Sequence, residues 1–167
     1  MSQKHRRYPL KSKDSKQILA QASEKLKIDL EEKFGSKALI EIVEAESAEV
    51  LLIEGKPLLF KSGDAIFPTL IAADLLSNAP KVVVDMGAVR FVCNGADVMA
   101  PGIVRYEGTF GKGDVVLVVD VKHGKPLALG EIQFTSDETK TIKQGPVVKT
   151  KHYVSDKIWN AAKTFTE

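Results

Sequence analysis

The chain has 167 residues, of which 44% are hydrophobic and 28% charged, with a formal net charge of +2. This composition is typical of a soluble globular protein with one ordinary domain or two small ones, and it leaves little room for a large catalytic domain. The single cysteine, Cys93, excludes an internal disulfide. The apolar runs are too short for a bilayer span or a secretory signal, so we expect a cytoplasmic location.

The charge is unevenly distributed along the sequence. Residues 1–16 carry a balance of +5, residues 17–80 a balance of −5 and residues 81–167 a balance of +2. A basic N-terminal arm, followed by an acidic segment and a mildly basic one, suggests a polyanionic partner. A solubilising tail explains the arm equally well, so both interpretations stay open at this point.

Residues 1–77 predict a small α+β domain with a three-stranded antiparallel sheet. Apolar residues recur every four positions at Ile18, Ala22, Leu26 and Leu30. This spacing predicts one helix over about 15–34 that ends at Gly35, with a loose capping box formed by Asp14 and Gln17. Three strands are predicted next, at 38–46, 49–54 and 57–61. Pro68 then fits the first turn of a short helix over 69–76.

We predict a second domain over residues 78–167, with its boundary at the turn-forming segment Ser77-Asn78-Ala79-Pro80. Its predicted elements are a strand at 82–84, a helix at 87–94, strands at 104–106, 115–121, 127–134 and 147–154, and a closing helix over about 155–163. Five short strands with glycine-rich turns and one early helix predict a small closed or partly open barrel.

Three glycines bracket the first helix of this second domain, namely Gly87, Gly95 and Gly102. Their missing side chains would let backbone N–H groups approach a phosphate or sugar closely. Alternatively, they supply turn conformations and close packing alone. Helical spacing predicts that Val89, Val92 and Cys93 face the core, and that Arg90 and Asn94 face solvent or a ligand.

The last predicted strand carries a basic face. Strict alternation would place Lys149, Lys151 and Tyr153 on one side and His152 on the other. Two lysines and an aromatic ring suit a surface that follows an RNA backbone and stacks a base. A charged strand edge that prevents aggregation is the alternative interpretation.

The sequence contains no pattern typical of catalysis or metal binding. The histidines His5, His123 and His152 have no metal-ligand spacing with one another or with Cys93. Residues 1–77 carry no nucleotide-binding glycine loop, no paired nucleophile and base, and no cofactor fingerprint. We therefore expect a protein that is not an enzyme and that has no cofactor, no metal site and no catalytic residues.

Two segments resemble a known family. The segment VVVDMGAVRFVCNGADVMAPGI, residues 82–103, resembles the opening of a PUA domain, with its D-x-G-A turn, short helix and N-G-A-x-V-x-x-P-G loop. Matching G-D-x-V and A-L-G motifs follow at Gly113–Val116 and Ala128–Gly130. The string GKPLLFKSGDAIFPTL, residues 55–70, resembles the pre-PUA domain of the malignant-T-cell-amplified-sequence proteins and ligatin. These are translation factors of the small ribosomal subunit, with archaeal relatives of similar length.

The resemblance implies a pre-PUA domain followed by a PUA β-pseudobarrel with short helices, and an RNA-binding protein without catalysis. The implied partner is an RNA, either tRNA or rRNA, and the small ribosomal subunit or a translation factor is a candidate second partner. Binding to a membrane or to DNA is not expected. The candidate RNA-binding residues are Gly87, Ala88, Arg90, Phe91, Asn94, Gly95, Ala96, Met99, Pro101, Gly102, Lys149, Lys151 and Tyr153. The alternatives are an accessory protein of RNA modification and an adaptor that binds a protein through the acidic first domain.

Overall fold

The computed structural model describes residues 5–166, which form two compact units. The first unit comprises residues 5–75 and 157–166, and the second comprises residues 76–156. The closing helix therefore belongs to the first unit, whereas the sequence placed it in the second domain. Residues 1–4 of the predicted basic arm, and Glu167, lie outside the described residues.

The elements of both units follow in chain order. The N-terminal part contains β1 (His5–Pro9), α1 (Ser12–Leu26), α2 (Leu30–Phe34), β2 (Ile40–Ala45), β3 (Ala48–Ile53), β4 (Lys56–Ser62), β5 (Ala65–Pro68) and α3 (Ala73–Leu76). The second unit contains β6 (Lys81–Val84), α4 (Met86–Val92), β7 (Val98–Met99), β8 (Ile103–Glu107), β9 (Val115–Asp120), β10 (Pro126–Ile132), α5 (Ser136–Thr139) and β11 (Pro146–Tyr153). The chain then returns to the first unit with α6 (Lys157–Lys163).

The sheet of the first unit has five strands in the order β1-β2-β3-β4-β5, so the prediction of three strands is wrong. The additional strands are the two edges. They are held by pairing with their neighbours, with Arg7 opposite Val43 and Phe67 opposite Phe60. Pro68 ends β5 instead of beginning a helix, because its backbone belongs to the β4–β5 ladder.

The predicted helix over 15–34 is divided into two. Lys27 adopts a left-handed conformation (φ 58°, ψ 38°) that ends α1, and Asp29 caps α2 by accepting the Glu32 N–H at 3.0 Å. The N-cap of α1 is Lys11, without a side-chain hydrogen bond, so the predicted capping box at Asp14 is wrong. The apolar period still identifies the side that faces the core: Ala22 and Leu30 are buried, and Ile18 and Leu26 are partly buried against the same cluster.

Helix α6 packs on an apolar patch of this first sheet. Val43, Val50 and Leu52 are fully buried there, and Ile158 and Phe165 pack against them. This burial explains why the closing helix groups with the first unit: its apolar side covers β2 and β3.

The second unit is a curled six-stranded sheet in the order β7-β11-β10-β9-β6-β8. The prediction of five strands in a closed or partly open barrel missed the short strand β7. Strand β6 pairs in parallel with β9 and antiparallel with β8. The predicted positions of β6, α4 and β8–β11 are confirmed, while β7 and α5 are too short for a periodic signal. Val92 of α4 is buried in the core with Val89 and Cys93 packed beside it, as predicted.

Candidate nucleic-acid interface

The start of α4 is fixed by Asp85 and by the 3-10 turn at Ala100–Gly102. One carboxylate oxygen of Asp85, Oδ1, accepts the Ala88 N–H at 2.8 Å, and the Asp85 N–H donates to the Gly102 carbonyl at 2.9 Å. The helix therefore carries its own anion at its N-terminus. A phosphate there would compete with the Asp85 carboxylate, so this structure favours the capping role over phosphate binding.

An open cleft of about 460 Å³ lies beside α4 in the second unit. The predicted RNA-binding residues among its lining are Gly87, Ala88, Phe91, Ala96, Met99, Pro101 and Gly102. Sequence analysis did not select the remaining lining residues, which are Asp85, Val92, Asp97 and Val98. The motif residues converge because the hydrogen bond from Asp85 to Gly102 holds the 3-10 turn against the start of α4.

Large apolar side chains in this cleft and next to it on α4 are exposed. Phe91 is 54% exposed and Met99 48% exposed, and Met86 at the start of α4 is 48% exposed. The Arg90 guanidinium carbon lies 4.8 Å from the centroid of the Phe91 ring, within cation–π distance. Exposed apolar patches mark interaction sites, and an exposed ring beside an arginine suits a stacked base.

Gly95, which does not line the cleft, and Gly102, which does, are needed for different structural reasons. Gly95 has a φ of +88°, and a Cβ atom there would lie 2.7 Å from Cε1 of Tyr153. The Gly102 backbone is not left-handed, but a Cβ atom there would lie 3.0 Å from the Cβ of Ala88. Gly95 therefore supplies a turn conformation and Gly102 a close approach, which are the structural roles that the sequence left open.

Strand β11 does not alternate strictly. Leu129 pairs with His152 and Gly130 with Thr150, so Lys151 is an extra residue at a β-bulge. Its side chain is 20% exposed, and its Nζ atom lies 3.6 Å from a Glu131 carboxylate oxygen. The bulge therefore interrupts the single basic face that was predicted for Lys149, Lys151 and Tyr153. Lys149 alone of the two lysines is exposed.

Thr150 attaches β11 to the loop of the cleft. Its N–H donates to Oδ1 of Asp97 at 3.0 Å, and its hydroxyl donates to the Ala96 carbonyl at 2.9 Å. Sequence analysis did not select Thr150, because a threonine in a strand gives no signal of its own. Lys149 directly precedes Thr150 in the chain, so these hydrogen bonds bring the segment with this exposed cation to the loop at Ala96 and Asp97.

Neither His152 nor Asn94 lines the cleft. His152 is fully buried, and its Nδ1 atom lies 2.8 Å from Oδ2 of Asp156, which also accepts the Tyr153 N–H at 2.9 Å. This network positions the end of β11. Asn94 is exposed just after α4, with its N–H donating to the Phe91 carbonyl at 3.1 Å.

The arginines of the predicted basic arm are paired with acidic residues of β2. Arg7 donates from Nε and Nη2 to the two carboxylate oxygens of Glu41, each at 2.9 Å. This hydrogen-bonded pair lowers the pKa of Glu41 from its ordinary value. Arg6 lies 3.6 Å from Glu44, which also accepts the Tyr8 hydroxyl at 2.8 Å. Residues 5–9 are thus an edge strand whose two arginines are paired with glutamates, whereas Lys11, Lys13 and Lys16 of the predicted arm are exposed.

Residues 5–166 contain no cluster of histidine, cysteine and acidic side chains suited to a metal ion. Within the same range, no helix combines the length and the apolar character needed to cross a membrane.

Each of the two units matches the model of a known protein family. Residues 80–154 match the PUA domain, and residues 6–74 match a domain of unknown function, DUF1947. An uncharacterised protein of Methanocaldococcus jannaschii is 40% identical over 93% of this chain and 96% of its own length. Translation machinery-associated protein 20 of Saccharomyces cerevisiae is 28% identical over 78% of this chain and 77% of its own length.

Two further proteins extend the comparison. Malignant T-cell-amplified sequence 1 of Danio rerio is 30% identical over 69% of this chain and 66% of its own length. A hypothetical protein of Pyrococcus horikoshii has a crystal structure with a TM-score of 0.76 and 37% identity, covering 94% of this chain and 99% of that chain.

The fold, the cleft and these matches define a PUA-domain protein. The chain belongs to the family in which a DUF1947 domain precedes the PUA domain, together with translation machinery-associated protein 20 and the malignant T-cell-amplified sequence proteins. The family that the motifs resembled is thereby confirmed.

Proposed function

We propose that this protein binds tRNA or small-subunit rRNA during translation, in initiation, reinitiation or recycling, through the cleft beside α4. The observation that carries the proposal is the convergence of the PUA motif residues on one apolar cleft with an exposed ring, Phe91, on its wall. Single-stranded RNA is held by stacking of unpaired bases on such rings. The names of the relatives, which associate them with the translation machinery, support the same process.

The charged residues support a division of roles around the cleft. Arg90, beside the Phe91 ring, and exposed Lys149 on β11 are suited to phosphates, because their positive charge attracts the RNA backbone. Lys151 is less suited, because Glu131 already neutralises it. The protein acts in this proposal by binding alone, in the cytoplasm, without catalysis, with the small ribosomal subunit or a translation factor as its further partner.

The test is to measure the affinity of the whole protein for a tRNA and for a small-subunit rRNA fragment by fluorescence anisotropy. Phe91→Ala is expected to weaken binding about fivefold to 100-fold, the range that removal of one stacking ring produces. The matched control is Val121→Ala, another exposed apolar residue of the same unit that does not line the cleft. Equal affinities of the two variants, or no RNA binding by the wild type at low salt, would contradict the proposal.

A further inference from the structure

The cleft beside α4 supplies no positive charge to the backbone of an RNA. Its lining contains two carboxylates, Asp85 and Asp97, and no lysine or arginine. An apolar lining suits unpaired bases, whereas the phosphates of the same RNA need cations. Cations outside the lining must therefore contact the phosphates, and the surface around the cleft decides which part of the RNA they reach.

The turn between β9 and β10, residues 121–125, is a basic surface outside the lining. Lys122, His123 and Lys125 are all exposed. Within residues 5–166, neither of these two lysines forms an ion pair with an acidic side chain. The neighbouring acid, Asp120, is buried, and its carboxylate accepts the backbone N–H groups of His123 and Lys125 instead. Both lysine charges are thus available to a polyanion.

Backbone hydrogen bonds hold the β9–β10 turn in one conformation. Besides the two bonds to the Asp120 carboxylate, the Gly124 N–H donates to the Asp120 carbonyl at 3.0 Å. Gly124 adopts the left-handed φ of 64° that closes the turn. Side chains on such a fixed backbone lose less conformational freedom on binding than side chains on a mobile loop. The turn therefore presents its lysines in a preorganised way.

The β9–β10 turn lies at the same end of the sheet as the start of α4. Strands β6 and β9 are parallel, with Val84 opposite Asp120, and the Val121 N–H donates to the Val84 carbonyl at 2.9 Å. At this point β6 leads into Asp85, which lines the cleft, and β9 leads into the turn. An RNA with unpaired bases in the cleft can therefore extend towards the turn.

We propose that Lys122 and Lys125 bind the phosphates of a paired RNA stem from which the unpaired nucleotides in the cleft extend. The proposal rests on the proposed RNA-binding function of the cleft. The turn has no phenylalanine, tyrosine or tryptophan on which an unpaired base would stack. A paired stem, in contrast, is contacted mainly through its phosphates and 2′-hydroxyls. The cleft and the turn thus divide the RNA into an unpaired and a paired part.

The test variant of the full chain combines Lys122→Gln with Lys125→Gln. Its matched control combines Lys81→Gln with Lys112→Gln, which removes the same charge from the same unit. Lys81 begins β6 and Lys112 precedes β9, so both lie at the opposite end of these parallel strands, and neither lines the cleft.

The experiment titrates each variant with two RNAs of equal nucleotide number, at several salt concentrations. One RNA is a hairpin with a four-nucleotide unpaired 3′ extension, and the other is an unstructured single strand. For the hairpin, the test variant is expected to lower the slope of log affinity against log salt concentration by about 1.4–1.8, since each phosphate contact adds about 0.7–0.9. Its slope for the single strand, and both slopes of the control variant, are expected to stay unchanged.

The outcomes separate this proposal from the proposed function. An unchanged slope of the test variant for the hairpin overturns the role of the turn while the cleft stays the binding site. An equal decrease for the single strand also overturns it, because the turn then does not contact a stem. An equal decrease in the control variant overturns it as well, because any two charges then have the same effect. Absence of wild-type binding to both RNAs overturns the proposed function together with this proposal.

Discussion

Single aspartates determine several turns of the second unit. Asp120 accepts the His123 N–H at 2.5 Å and the Lys125 N–H at 3.1 Å, and these hydrogen bonds, the one from His123 above all, lower the pKa of the Asp120 carboxyl. Asp97 and Asp85 act in the same way at the cleft, each accepting one backbone N–H. The cleft is thus shaped by local hydrogen bonds between side chain and backbone.

Gly95→Ala is expected to destabilise the protein more than Gly145→Ala, although the two glycines have similar φ angles of 88° and 85°. Gly145→Ala costs about 1–2 kcal/mol, since a Cβ atom in the left-handed region is strained but has open space here. Gly95→Ala adds an overlap with the Tyr153 ring, which costs about 1–3 kcal/mol more. Urea denaturation measures both values, and equal values would mean that Tyr153 moves aside freely.

The glycines of the N-G-A-x-V-x-x-P-G loop could be predicted from the sequence, whereas the partners of the charged residues could not. The N-G-A-x-V-x-x-P-G spacing is local, so the order of residues along the chain is enough to identify Gly95 and Gly102. The pairing of Arg7 with Glu41 joins residues 34 positions apart. The two residues meet only because β1 and β2 pair in one register, and the sequence alone does not give that register.

At the scale of elements, prediction succeeded where a periodic signal was long enough. Helix α4 and the buried strand β9 have clear patterns, and both were predicted within two residues of their observed ends. Strands β1 and β5 were missed, because His5–Pro9 is basic and Ala65–Pro68 is short and apolar throughout. The division between α1 and α2 was missed because the apolar period continues across Lys27.

Ile158→Ala on α6 is expected to lower the stability of the first unit. Ile158 packs on Val43, Val50 and Leu52, and its truncation should cost about 1–2 kcal/mol because the side chain is only partly buried. Hydrogen exchange should increase at the β2 and β3 amides, with exposed Asn160→Ala on the same helix as the control. Faster exchange at β9 and β10 instead would assign the closing helix to the second unit.

Across the whole molecule, the uneven charge of the sequence is partly cancelled by the fold. Arg6 and Arg7 are neutralised by Glu44 and Glu41, so the most basic segment of the sequence does not present these charges freely. Exposed cations such as Arg90 and Lys149 remain on the second unit. Lys11, Lys13 and Lys16 of the first unit are exposed as well. We therefore expect RNA at the second unit because the apolar cleft lies there, with Arg90 and Lys149 adding electrostatic attraction.

Lys149→Gln is expected to weaken the salt dependence of RNA binding, whereas Arg7→Gln should leave it unchanged. Each phosphate contact adds about 0.7–0.9 to the slope of log affinity against log salt concentration, so loss of Lys149 should lower the slope by that amount. Arg7 is held by Glu41 and should not release counterions on binding. Anisotropy titrations between low and moderate salt measure the slopes, and a lower slope for Arg7→Gln would show that β1 contacts RNA.

The most direct test of the central claim, that RNA binds at the cleft beside α4, is the mapping of backbone amide NMR shifts on addition of tRNA to the uniformly ¹⁵N-labelled protein. We expect the largest shifts at residues 86–102 and 149–153, with residues 5–9 and 40–45 nearly unchanged. Shifts concentrated in the first unit, with the amides of Gly87, Phe91 and Met99 unmoved, would contradict this account.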